Sequence, residues 1–154
     1  MSNEQILQRI MKDYSGVVFV ESTKSWWDPQ ARHIYYNPTQ QNAVWSLLHE
    51  IGHMHCEHNS YGNDLELVKM EAEAWAVAKT LAQKYTVEID AEYVEDCLDS
   101  YRDWLHKRST CPRCTQTGLQ RDDATYKCVN CQEQWRVSKS RFCRSYRINT
   151  KTPK

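Results

Sequence analysis

Apolar residues recur at steps of three and four along four stretches of this chain and cluster in short runs between them, which predicts a mainly helical α+β fold. Ile6, Leu7, Ile10, Met11 and Tyr14 form the first helical stripe; Ser2, with Gln5 three residues on, reads as a capping box, and Gly16 as a stop signal. Residues 17–21 and 33–36 are β-branched and aromatic, separated by a polar stretch holding Asp28-Pro29, and predict two short strands paired in a small sheet. Pro38-Thr39 is expected to open a second helix through Ala43, Val44, Leu47, Leu48 and Ile51, ending at about Glu57. A Gly-Asn-Asp break at 62–64 offers an N-cap to an alanine-rich third helix, Leu65 to about Tyr85. A fourth begins after Asp90, carries Val94, Cys97, Leu98, Tyr101 and Leu105 on one face, and fades at Arg108-Ser109-Thr110.

Composition turns this into two modules. The 154 residues are 40% apolar and 26% charged, with 20 basic and 20 acidic side chains. That zero balance hides a division: residues 1–106 hold 8 Lys/Arg against 17 Asp/Glu, and residues 107–154 hold 12 against 3. We expect an α+β domain over 1–106, a small β domain over 109–148 and a polar, disordered tail over 149–154. Apolar runs such as Val17-Val18-Phe19-Val20 are too short for a membrane span, and Met-Ser-Asn-Glu-Gln does not open like a secretory signal. Seven cysteines, four of them in two Cys-x-x-Cys pairs, favour metal binding in a reducing compartment over disulfides. A cytoplasmic protein, free or associated with nucleic acid, is the expectation.

The sharpest chemistry lies in His49-Glu50-Ile51-Gly52-His53. Histidines four apart on a helix stand on one face, so their rings can converge on one zinc ion, with the intervening glutamate beside the metal. A zinc ion with three protein ligands keeps a position for water and lowers that water's pKa to about 7. Glu50 would then act as general base, taking the proton and passing it to a leaving nitrogen. Gly52 is expected to leave room for approach to the metal. His55, Cys56 and His58 read as ordinary surface or core side chains. The third ligand is open between Glu71 and Glu73, which lie roughly 200° apart around a helix; a metzincin's next histidine falls at Asn59 instead.

The segments Ile34-Tyr35-Tyr36-Asn37, Leu47-Leu48-His49-Glu50-Ile51-Gly52-His53 and Glu71-Ala72-Glu73-Ala74-Trp75-Ala76-Val77-Ala78 together resemble the ImmA/IrrE-like zinc peptidases over roughly residues 15–85. The resemblance implies Glu71 as third ligand and a protein substrate among DNA-bound regulators. SprT-like proteases, which also join such a motif to a zinc ribbon, are a second resemblance, ranked lower because no histidine occurs between His58 and His106.

Cys111, Cys114, Cys128 and Cys131 form two Cys-x-x-Cys turns separated by thirteen residues, the spacing of a closed, structural zinc site in a ribbon with strands at 125–129 and 134–137. A module this small depends on its metal to fold. Redox chemistry is the lesser reading of these pairs, and Cys97 and Cys143 are spare. Arg136, Lys139, Arg141, Arg144 and Arg147, interleaved with Trp135, Phe142 and Tyr146, suit contact with DNA or RNA, or with an acidic protein surface. The sequence thus predicts a zinc peptidase with one catalytic and one structural ion: His49, His53 and Glu71 as ligands, Glu50 as base, the ribbon as docking module. Tyr61, Tyr85, Tyr101 and His106 are candidate oxyanion donors. A non-catalytic binding module scaffolded by zinc is the main rival.

Overall fold

The computed structural model describes residues 1–140 and the backbone of 145–147. Its described residues form four helices and two small sheets, an α+β architecture with a helical core. They divide into two compact units: residues 1–60 with 69–95, and residues 61–68 with 96 onward. The boundary expected near 106–109 therefore falls inside the second unit, which also takes the first turn of the third helix and most of the fourth. No helix among the described residues is long and apolar enough to cross a membrane.

In the first unit, helix α1 (Asn3–Asp13) starts where the capping box predicts: Ser2 accepts from the Gln5 N–H at 3.2 Å, and the Gln5 side chain accepts from the Ser2 N–H at 2.9 Å. Strands β1 (Val18–Glu21), β2 (Trp26–Asp28) and β3 (His33–Tyr36) follow. β3 is central, parallel to β1 and antiparallel to β2, so the sheet has one more strand than expected. The polar stretch is in fact a Trp-Trp-Asp strand closed by a turn in which Asp28 accepts from the N–H groups of Gln30 and Ala31. Helix α2 (Ala43–His55) begins five residues after Pro38, because residues 38–42 form turns that end at its N-cap, Asn42. Asn63 caps helix α3 (Asp64–Lys84) by accepting from the Glu66 N–H at 2.9 Å. α4 (Ala91–Ser109) follows Asp90. Ile10, Ile34, Leu47, Leu48, Ile51, Ala74, Ala78 and Val94 are buried to 1% exposure or less, which makes α2 the centre of this unit.

The second unit carries an antiparallel sheet of β4 (Gly118–Gln120), β5 (Thr125–Cys128), β6 (Gln134–Val137) and β7 (Ser145–Arg147) in that order. Two of these strands, β4 and β7, were not anticipated. Tyr126, Trp135 and Val137 build its core with the cysteines. Asp64 and Arg108 are also buried here: Arg108 grips Asp64 with Nε at 2.6 Å, Tyr126 donates to the same carboxylate at 2.5 Å, and further guanidinium nitrogens donate to the Asp123 and Ser138 carbonyls. These bonds on both partners offset the cost of burying the ion pair.

Candidate functional site

α2 is apolar nearly all round and buries Val44, Leu47, Leu48 and Ile51, so its remaining stripe carries the polar groups inward: His49 and His53, one turn apart. α3 presents Glu71, Ala74, Trp75, Ala78 and Ala82 as its buried stripe, at steps of three and four. Gly52 lies directly against the backbone of Ala74, so its smallness serves the approach of the two helices, not access to a metal as expected from sequence. That approach carries Glu71 across to the histidines.

Three side chains meet there. His49 Nε2 is 3.1 Å from Glu71 Oε2, His53 Nε2 is 3.3 Å from Glu71 Oε1, and the two Nε2 atoms are 3.0 Å apart. Tetrahedral bonds of about 2.0–2.1 Å, the length imidazole and carboxylate make to a zinc-sized ion, place donor atoms about 3.3 Å from one another. The three residues are spaced to hold a metal ion. Burial pushes the His49 pKa down. Burial works in the same direction on His53, but hydrogen bonding and charge from Glu71 prevail and raise it. Glu71 resists burial in turn: its two histidine partners hold its carboxyl at about 2. His49 and Glu71 thus favour the unprotonated and anionic donors that coordination uses, whereas His53 would give up a proton to an incoming ion.

Glu50 stands outside this trio. It is 8% exposed, and burial raises its carboxyl to about 7, against the pull of the His53 charge and of a hydrogen bond from the Trp27 backbone N–H on β2. A carboxyl so placed exchanges protons near neutrality.

The two histidine rings are held differently. His49 stacks on Trp75, centroids 4.3 Å apart and planes at 30°, and its buried Nδ1 has no hydrogen-bond partner among the described residues. His53 Nδ1 instead lies 2.8 Å from His58 Nδ1, and His58 Nε2 lies 3.0 Å from Glu73 Oε2. Glu73 therefore does not join Glu71; it meets His58, which holds its carboxyl below the usual range. His58, expected from its spacing to be an ordinary side chain, thus stands between His53 and Glu73. It reaches His53 because α2 ends in a Schellman turn: the His58 N–H donates to His53 O at 3.0 Å and the Glu57 N–H to Met54 O at 3.0 Å, with Glu57 at φ 54°. A glycine at 57 would have signalled that turn; the glutamate hid it. His55 turns away and pairs with the Tyr14 hydroxyl at 2.9 Å. Tyr85 donates to Asp13 at 3.0 Å and is 1% exposed, which commits its hydroxyl elsewhere and removes it as an oxyanion donor.

Comparison with known proteins finds no family model, no curated protein and no solved structure that matches this chain. The resemblance to the ImmA/IrrE-like peptidases thus rests on the motifs alone.

In the second unit, Cys111, Cys114, Cys128 and Cys131 converge as the spacing predicts. Sγ of Cys111 is 3.6 Å from that of Cys131, and Cys114 is 3.4 Å from Cys128, close to the edges of about 3.8 Å that thiolate bonds of about 2.3 Å give. Two matching turns build the site. Backbone N–H groups of Arg113, Asn130 and Cys131 donate to sulfur, and Thr115 and Gln132, each following the second cysteine of its pair, adopt φ 64° and 65°. The Gln116 backbone N–H and the Asn130 side chain pull the Cys114 thiol down to about 6. The backbone at Glu133 acts likewise on Cys131, but burial and the adjoining sulfurs overcome it and push that thiol up to about 12. Four sulfurs at this separation ionise together only around a cation.

The basic residues divide. Arg136 and Lys139 are exposed, whereas Arg141 and Arg144 lie outside the described residues, as do Phe142, Cys143 and the tail. Arg147 pairs through its backbone with Trp135 in the β6–β7 ladder. Trp135 itself is fully buried, stacked on Tyr126 and donating to Arg108 O at 2.8 Å, so it cannot serve as a platform for bases.

Proposed function

We propose that this chain is a zinc-dependent peptidase in which His49, His53 and Glu71 hold the catalytic ion and Glu50 is the general base. One observation carries the reading: a buried carboxyl, Glu50, belongs to the same helix turn as His49 but stands outside the trio of donors spaced for one ion. The ion when bound would polarise a peptide carbonyl and acidify a water. Glu50 takes the proton of the water that attacks the carbonyl carbon and returns it to the amine nitrogen as the C–N bond breaks. Trp75 orients His49 by stacking, and Glu71 would offset part of the ion's charge.

The cysteine site closes on itself and is read as structural zinc. The ribbon, with Arg136 and Lys139 exposed on it, is read as the docking module for DNA, RNA or a protein bound to them, confining cleavage to nearby regulatory proteins. The motif-level resemblance to ImmA/IrrE-like peptidases supports the same substrate class.

The test is incubation of purified protein with nucleic-acid-binding proteins, with and without chelator. Cleavage that chelator abolishes, and that Glu50→Gln loses while retaining its metal, is the expected result. Activity unchanged in Glu50→Gln would leave both ions as scaffolding of a binding module.

A further inference from the structure

We propose that His58 and Glu73 form a positioning relay behind His53, fixing which ring nitrogen faces the ion and strengthening its hold. The proposal rests on the reading of His49, His53 and Glu71 as a metal site, and it adds two residues that lie outside the ligand trio.

Proton placement fixes the direction of this line of contacts. Neutral imidazole carries one N–H, and a nitrogen that binds a metal must carry none. His53 presents Nε2 to His49 and Glu71, so its proton sits on Nδ1. That N–H can then only donate across the 2.8 Å contact to His58 Nδ1, which must be bare. His58 therefore carries its own proton on Nε2, where Glu73 Oε2 accepts it at 3.0 Å. Lys69 Nζ, 3.7 Å from the other Glu73 oxygen, completes the line at the surface. Each contact has one donor and one acceptor in a single direction, ending on a charge. Reversing any proton would leave two N–H groups, or two lone pairs, facing each other at hydrogen-bond distance.

The scaffold holds the relay rigidly. The His58 side chain is 8% exposed, its backbone N–H is tied to His53 O, and its carbonyl accepts from Trp27 Nε1 at 3.1 Å. Glu73 arrives on the same helix as Glu71, two residues on. A ligating histidine backed in this way is a better donor, and loss of such a partner weakens metal binding by about 10–100-fold. His49, whose Nδ1 has no such partner among the described residues and whose ring stacks on Trp75, leaves His53 as the ligand whose orientation this second layer decides.

The experiment measures zinc affinity by chelator competition in the full chain, for the wild type, His53→Ala, His58→Phe, Glu73→Ala and Glu73→Gln. Two ions are expected on the wild type and one on His53→Ala; a single ion on the wild type would sink the metal-site reading itself, and the relay with it. With two ions present, His58→Phe and Glu73→Ala are expected to weaken one site about 10–100-fold and leave the cysteine site unchanged, with Glu73→Gln intermediate because its amide oxygen still accepts. Glu73 is half-exposed, so its variants keep the test open should His58→Phe fail to fold. Nitrogen-15 correlation spectra of the zinc-loaded wild type should find His58 protonated on Nε2 and His53 on Nδ1, a bias that Glu73→Ala removes from His58. Unchanged affinity in Glu73→Ala, or His58 protonated on Nδ1, would overturn the relay while leaving the metal site intact.

Discussion

A Cβ atom at residue 52 would stand 2.3 Å from the carbonyl oxygen of Ala74, closer than side-chain carbon ever comes to backbone. The contact is backbone against backbone, so nothing flexible can yield. Gly52→Ala should therefore destabilise the chain by about 1–3 kcal/mol through overpacking, although alanine is the better helix former by about 1 kcal/mol. Urea unfolding measures the first effect. Metal analysis should find fewer than two ions per chain, because parting α2 from α3 withdraws Glu71 from the histidines.

Glu57 and Thr86 both occupy the left-handed region, at φ 54° and 57°, where each closes a Schellman turn that glycine ordinarily fills. Relief of that conformation is worth about 1 kcal/mol. Glu57→Gly and Thr86→Gly should each raise the unfolding midpoint, and Glu57→Val should lower it. Zinc affinity should hold in Glu57→Gly, since His58 keeps its place, and fall in Glu57→Val.

Asp64 sits at 3% exposure between Arg108 and Tyr126, and its removal leaves a guanidinium buried without its counter-charge. Asp64→Ala is expected to cost about 3–5 kcal/mol, whereas Asp64→Ala combined with Arg108→Met should cost much less than the two single changes added. Denaturant titration of the four proteins gives the coupling directly.

Removal of the ion proposed for the four cysteines should unfold the β4–β7 sheet, whose core of Tyr126, Trp135 and Val137 is small. Cys128→Ser, which leaves three sulfurs, should bind one ion fewer per chain. Its tryptophan emission, to which Trp135 contributes one of six rings, should shift to the red as that buried ring meets water. An unshifted spectrum would mean that the sheet holds together by packing alone.

Lys84, 2.9 Å from Asp13, and then the Tyr85 hydroxyl hold the Asp13 carboxyl below its ordinary value. A carboxyl depressed by folding stabilises above its unfolded pKa of about 4, and that contribution is lost as pH falls through the folded value. Wild type should therefore be more stable than Asp13→Asn at pH 6, with the gap narrowing steadily below pH 4. Thermal melts across that range follow it.

Much of this was legible along the chain. Local chemistry wrote the capping box at Ser2 and Gln5, the apolar stripes of four helices, the paired histidines and the two Cys-x-x-Cys turns, because each depends on residues a few positions apart. Strands β2 and β4 escaped notice because three residues carry too little periodicity, and their pairing partners lie elsewhere in sequence. The choice between Glu71 and Glu73 could not come from a helix considered alone, where the two merely point in different directions. Packing decided it: Gly52 against Ala74 sets the rotation of α3 toward α2, which sends Glu71 to the histidine pair and Glu73 to His58. His58 itself entered the site through the backbone of a turn that no side chain announced. The sequence by itself determined which residues can bind metal; only the tertiary structure decided which of them meet, because that depends on the distance between two helix backbones.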